Sequence, residues 1–151
     1  MAVLTPTGFP TSIRQLSGDT TSVTALPIAT TDLDSASDFL KLAILPPGYR
    51  LAGFRLSCDE DADSNASPEL AGNIGLLNAA GDALVTDTAF AVLTSTLAGT
   101  DTGFVVEPSG INLPNVKNTS DADMYIALDL TAAAATADAC TFVVASTITP
   151  I

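Results

Sequence analysis

Acids stand at alternate positions in Cys58-Asp59-Glu60-Asp61-Ala62-Asp63-Ser64-Asn65. Clustered carboxylate oxygens are what a hard cation such as Ca²⁺ requires, so Asp59, Asp61 and Asp63 are the metal candidates that the sequence offers. The spacing fails the EF-hand template. Counted from Asp59, Ser64 stands where the sharp turn needs Gly, and Leu70 stands where a bidentate Glu should close the site. A solvated turn accounts for the same residues, with Asp63 and Asn65 accepting local backbone bonds of the Asx type. That reading is preferred, and no metal is expected.

Other chemistry is scarcer still. The chain has no histidine, which removes the commonest general base, the usual triad and most zinc sites together. Cys58 and Cys140 lack a basic neighbourhood that would turn a thiol into a nucleophile, and their spacing suits no metal. Both fall on inward parity, so the pair could bridge if the strand ends meet; two buried thiols are the favoured reading. With no Trp and two Tyr, the paired acids lack the aromatic platforms of a sugar cleft. The glycines at 72 and 75 open no phosphate loop, since neither Lys-Ser/Thr nor a helix start follows them. No catalytic residue, no cofactor site and no enzyme activity are expected.

The basic residues are few enough to weigh singly. Of five Lys and Arg, Lys41, Arg50 and Arg55 fall between residues 38 and 63. Pairing with some of the seventeen acids within the molecule is the simpler account of Arg50 and Arg55. An intersubunit salt bridge is the functional one, because the guanidinium fork suits interfaces. Lys117 is read the same way, so Arg50, Arg55 and Lys117 are interface candidates.

These residues are positioned by elements with a clear β signature. In DFLKLAIL, Leu40, Leu42 and Ile44 alternate with Phe39, Lys41 and Ala43, the period of a strand. Pro46-Pro47-Gly48 is a strong turn signal. In the strand that follows, Ala52, Phe54, Leu56 and Cys58 share one predicted face, so the stretch reads as a hairpin. Ala71–Leu77 reads as a third strand, where Gly72 and Gly75 predict a bulge or a close neighbouring backbone. Phe90, Leu93 and Leu97 at helical spacing, a cap at Thr86 or Asp87 and a stop at Gly99 predict one short helix, about 87–98. GFVVE at 103–107 is a short strand. Met124–Leu130 and Thr141–Ile148 read as a second hairpin.

Residues 1–37 lack such order. Pro6, Pro10 and Pro27 interrupt scattered apolar residues, too many for a solvated tail. An extended N-terminal arm is expected, with one strand near Thr20–Ala25, lying on its own domain or on a neighbouring subunit. Phe9, Ile13 and Leu16 are its candidate contacts. The predicted class is mainly β: an antiparallel β-sandwich, jelly-roll-like, over 38–151.

Whole-chain properties narrow the partners. At 151 residues one domain with a proper core is expected. The net charge of −12 repels nucleic acid and anionic membranes, and both are excluded as partners. No run approaches the ~20 apolar residues of a membrane span, and the N-terminus lacks the pattern of a secretory signal. Synthesis in the cytosol as a soluble protein is expected. Only 15% of residues are charged, leaving a surface of Thr, Ser, Ala and Asn that suits packing against other subunits.

The segment DFLKLAILPPGYRLAGFRLSCDEDADSNASPELAGNIGLLNAAGDAL resembles a pattern in small structural proteins of tailed bacteriophages. There a strand, a Pro-Pro-Gly-Tyr-Arg turn and a second strand run into an Asp-x-Asp-Ser-Asn loop. YIALDLTAAAATADA and the final strand are similar more loosely, and about half the chain is covered. The resemblance implies a capsid decoration (cement) or head-associated virion protein, made in the host cytoplasm and placed on the capsid exterior. It implies a homo-oligomer, a trimer above all, that binds the major capsid protein and braces capsomers. The arm would supply part of that contact. A tail, baseplate or head-fibre component with adhesion to the host surface is the alternative, distinguished by copy number and location.

Overall fold

The computed structural model describes residues 2–7, 9, 19–108 and 113–151. Pro46-Pro47-Gly48 turns the chain as its residues dictate, with Gly48 at φ 78°. The strands it joins, β3 (Phe39–Leu45) and β4 (Tyr49–Cys58), nevertheless do not pair; they belong to different sheets. The expected hairpin is instead a corner between two layers. Two consecutive prolines remove the N–H groups that a tight hairpin ladder needs. The Gly48 N–H is satisfied elsewhere, by the carbonyl of Asn118 at 2.9 Å.

The C-terminal pair behaves the same way. β8 (Met124–Ala132) and β9 (Cys140–Pro150) lie in opposite sheets, and residues 133–139 cross between them. The remaining elements are β1 (Val3–Leu4), β2 (Thr20–Ile28), β5 (Ala71–Leu77), β6 (Ala91–Leu93), a single α-helical turn α1 (Ser95–Ala98), β7 (Phe104–Val106) and short 3-10 turns at Thr30–Asp32 and Leu113–Asn115. One sheet has the order β1-β3-β8-β5-β6 and the other β2-β9-β4-β7. Antiparallel pairing is nested: β2 with β9, β3 with β8, β4 with β7, β5 with β6. Only β1, parallel to β3, departs from antiparallel pairing among the described strands.

The two sheets close on one core as a β-sandwich. Leu42, Leu56, Ile74, Leu128 and Phe142 are buried in it. Phe54 meets Phe90 edge-on at 5.1 Å between centroids, and Phe104 meets Phe142 at 6.0 Å. Bulges reset the alternation in the central strands. Between Leu51 and Gly53 the register of β4 slips, so Leu51 turns inward and Ala52 is exposed, the reverse of the predicted parity for Ala52.

The helix expected at 87–98 is cut to its last turn. Val85 and Phe90 donate to carbonyls of Leu76 and Ile74 on β5. The buried Thr88 hydroxyl accepts from Leu76 N–H at 3.1 Å and donates to the Val85 carbonyl at 2.7 Å. These bonds hold the segment extended, and residues 91–93 become an edge strand. Thr94 is the N-cap of α1, and Gly99 ends it. The glycine reading of β5 is met at both positions. A Cβ on Gly75 would stand 3.1 Å from the Ala89 backbone, and one on Gly72 would collide with the Asp129 carbonyl beside a bulge.

The arm boundary at 37 also shifts. β2 pairs with β9 over its full length, Thr20 to Ile28, and its Leu26 and Ile28 are buried in the core. It is a strand of the sandwich. The described residues before it lie on their own domain: Ala2 N–H donates to Asp38 Oδ1 at 2.9 Å, and the Phe9 ring packs tilted against Tyr125 at 6.0 Å between centroids. Ile13 and Leu16 fall outside the described residues. Deleting residues 1–18 should therefore leave a cooperative thermal unfolding transition. Deleting 1–37 should abolish it, because the long edge of β9 loses its partner and the core loses Leu26 and Ile28. Calorimetry of the two truncations checks this.

Candidate functional site

Where β4 ends, the chain enters the acidic loop, and Asp63 is fully buried there at 0% exposure. Its Oδ2 accepts N–H bonds from Glu69 (2.8 Å), Ala135 (2.9 Å) and Leu70 (3.1 Å). Its Oδ1 accepts from Thr136 (2.9 Å) and Asn65 (3.3 Å). The backbone joins in, with Ala62 and Asp63 N–H both donating to the Ala98 carbonyl at the end of α1. Burial alone would raise the carboxyl pKa, but the N–H groups of Thr136, Glu69, Ala135 and Leu70 outweigh it and hold the group at about 2.

The expected solvated turn is thus wrong at Asp63 and right in its local bonds: Asn65 N–H donates to Asp63, and Ser67 N–H to Asn65 Oδ1. The three acids do not converge as ligands. Asp59 Oδ1 accepts from Thr141 N–H at 3.1 Å and faces the Cys58 thiol at 3.8 Å, while Asp63 points into the loop amides. Among the described residues no three carboxylates or thiols gather around a metal position. What the Asp63 arrangement can do is hold two inter-sheet connections together as a buried anion.

The two cysteines are free and buried, as their parity implied. They adjoin at the ends of β4 and β9, Cys140 standing two residues from Phe142, the register partner of Cys58. The Cys140 thiol donates to the Cys58 sulfur, which lowers Cys58 and, with burial, pushes Cys140 up. Cys140 is therefore a poor nucleophile.

At the other end of the sandwich Asn118, also at 0% exposure, plays the corresponding part. Its Nδ2 donates to carbonyls of Leu45 (2.8 Å) and Ala122 (2.7 Å), and its Oδ1 accepts from Ser120 N–H (2.9 Å). Asn118 N–H donates to Tyr49, and Leu51 N–H to Val116, so residues 116–118 run along the start of β4. Sequence reasoning assigned no role to Asn118 or Thr88. The only local signal was the Asn-x-Ser spacing of an Asx turn.

That placement brings two interface candidates together. Arg50 and Lys117 face each other across an antiparallel bridge, and both are exposed. Arg55 lies further along the same outer face, 3.9 Å from Glu107, with both side chains more than half exposed (59% and 65%). Such an exposed pair contributes little. Phe9 is elsewhere, beside Tyr125 of the five-stranded sheet, where Lys41 Nζ sits 3.9 Å over the Tyr125 ring. A shallow groove of about 350 Å³ there is lined by Val3, Lys41, Leu77, Asp123 and Tyr125. On the same strand, Asp129 is pushed up by burial.

The chain shares its fold with solved phage structures. It matches a chain in the capsid of Ralstonia phage GP4 at TM-score 0.73 and 14% identity, covering 99% of this chain and 98% of that one. It matches a chain of the cyanophage Pam1 capsid asymmetric unit at TM-score 0.57 and 20% identity, covering 93% and 91%. No family model matches the chain, and no curated protein does. At these identities what is shared is the β-sandwich.

Opposite pH effects follow for buried Asp63 and half-buried Asp129. Asp63 has a depressed pKa, so its stabilisation is complete above the unfolded value near 3.8 and is lost as pH falls toward 2. Asp63→Asn places an NH₂ against N–H donors and, by leaving buried donors unsatisfied, should cost about 1–3 kcal/mol at neutral pH. Urea unfolding should show the deficit shrinking through that acid window. Asp129 has a raised pKa, so its charged form opposes folding. Asp129→Asn should raise Tm at neutral pH and have no effect once acid protonates the wild-type group, which thermal scans at both pH values check.

Proposed function

We propose that this chain is a structural protein of a bacteriophage virion that decorates and stabilises the capsid by oligomerising and bridging capsomers. The observation that carries the reading is the end-to-end fold match, 99% and 98% of the two chains, with a chain from a phage capsid. The Pro-Pro-Gly corner and acidic-loop pattern support it from the sequence side. The connectivity is read as a jelly roll: nested antiparallel pairs folded into two four-stranded layers, with β1 added at an edge.

A decoration protein needs no reaction, only contacts repeated by symmetry. Bridging two capsomers makes the second contact intramolecular, so modest interfaces sum to a large avidity. A homotrimer on the outer surface, bound to the major capsid protein, is the arrangement proposed. The rigid sandwich suits that role, since little conformational entropy is lost when it docks.

The test is addition of the purified protein to capsids that lack it, from the phage that encodes it. Electron cryomicroscopy should show density between capsomers on the exterior, and decorated shells should resist heating to a higher temperature than bare ones. Density confined to the tail or baseplate, or no binding to shells, would overturn the reading.

A further inference from the structure

Past the paired ends of β4 and β9 the two segments go on running side by side. Cys58 is the register partner of Phe142. Further out, Asp138 N–H donates to the Ala62 carbonyl, Asp63 bridges Ala137, and Ser64 N–H donates to the Thr136 carbonyl. Each of these pairs keeps the register that β4 and β9 set. Cys140 is thereby fixed as the diagonal neighbour of Cys58 on the same inward face, with paired backbone on both sides.

The ladder lapses only between those supports. Among the described residues, 59–61 make no backbone bond to β9, and the Asp59 carboxylate takes the Thr141 N–H at 3.1 Å instead. Same-face diagonal neighbours stand about 7–8 Å apart between Cα atoms, and a disulfide spans about 4.4–6.8 Å. The sulfurs have already met, since the Cys140 thiol donates to that of Cys58. Closure therefore asks for on the order of 1 Å of backbone movement, at the point where the ladder is interrupted. Cys58 keeps 7% exposure there, where the chain leaves the sheet for the acidic loop.

We infer that Cys58 and Cys140 are a latent disulfide that braces this end of the sandwich, closed by a low-molecular-weight disulfide such as oxidised glutathione. In the first step the Cys58 thiolate attacks one sulfur of the oxidant, forming a mixed disulfide and expelling one thiolate. In the second, Cys140 gives its proton to solvent and attacks the Cys58 sulfur, and the second thiolate leaves. The protein loses two protons and two electrons, and the oxidant becomes two thiols. Capping Cys58 also removes the hydrogen bond and the negative charge that hold Cys140 protonated, so the first step prepares the second.

The bond would tie the two crossovers that Asp63 joins, since the β4–β5 loop leaves from Cys58 and the β8–β9 loop arrives at Cys140. It encloses more than half of the chain, and long loops gain most from a cross-link in the unfolded state. A virion component passes from a reducing cytosol to an oxidising exterior, which puts closure after release. That timing rests on the proposed virion role; the pairing of the thiols does not.

Oxidised glutathione added to the reduced full chain at mildly alkaline pH tests this, read by thiol titration, intact mass and peptide mapping without reductant. Both thiols should disappear in the monomer, with a mass lower by two hydrogens and one cross-linked peptide pair holding Cys58 and Cys140. Tm should rise by about 5–10 °C and fall back on addition of a reductant. Cys140→Ala should stop the reaction at a glutathione adduct on Cys58, and Cys58→Ala should leave Cys140 free. Where either variant fails to fold, mapping of the wild type decides. Thiols that stay free in the folded wild type, a lasting glutathione adduct on it, a bond formed only between molecules, or a cross-linked chain with no higher Tm would overturn the inference. Free thiols in released particles would overturn the timing alone, and capsid occupancy, measured separately, decides the decoration role.

Discussion

The buried carboxylate of Asp63 is the constraint on which the assembled sandwich depends. It sits where two connections between the sheets meet, the β4–β5 loop and the β8–β9 loop, and takes N–H donors from both. An ion removed from water is costly unless its lone pairs are filled, so each of these backbone groups must be delivered to within hydrogen-bond range. The Ala98 carbonyl, taking two more bonds from the same loop, ties α1 to the junction. Asn118 does the equivalent work at the opposite end, where the β3–β4 corner meets the return from β7 to β8. Each end of the β-sandwich is thus latched by one buried polar side chain that joins two crossovers.

These latches also account for how acids can be abundant yet chemically idle. The one deeply buried carboxylate is saturated by amides and stays ionised, so it offers neither a proton nor a free lone pair at neutral pH. The thiol pair is internal, with Cys140 held protonated against Cys58. The remaining acids stand mostly on loops, where they act through the field of the whole molecule. The surfaces differ in composition: the strands β2, β9, β4 and β7 carry no carboxylate, and a groove lined by Lys41, Asp123 and Tyr125 lies on the other sheet.

The sequence by itself determined the strand material and the punctuation. Period-2 alternation marked β3, β4 and β8, the Pro-Pro-Gly turn fell where expected though not as a hairpin, and the glycines of β5 marked a close approach of backbone. The absence of histidine and of any motif for chemistry was equally plain. Local pattern reads which residues face inward, because alternation is a property of the strand alone.

Tertiary structure decided partnership. Whether two strands joined by a turn pair with each other or part into opposite sheets depends on which distant strand each one meets, and β3 and β8 found each other across a long stretch of sequence, Leu45 meeting Met124 and Phe39 meeting Asp129. The same long-range bonds held 85–90 extended against β5 in place of a helix, drew Thr20–Ile28 out of the arm into the sheet, and converted Asp63 from a solvated turn residue into a buried anion. A carboxylate's own sequence neighbours supply one or two amides; the donors from Ala135 and Thr136 arrive only when the chain has closed. The pairing of Arg50 with Lys117 is of the same kind, set by an antiparallel bridge that no local spacing encodes.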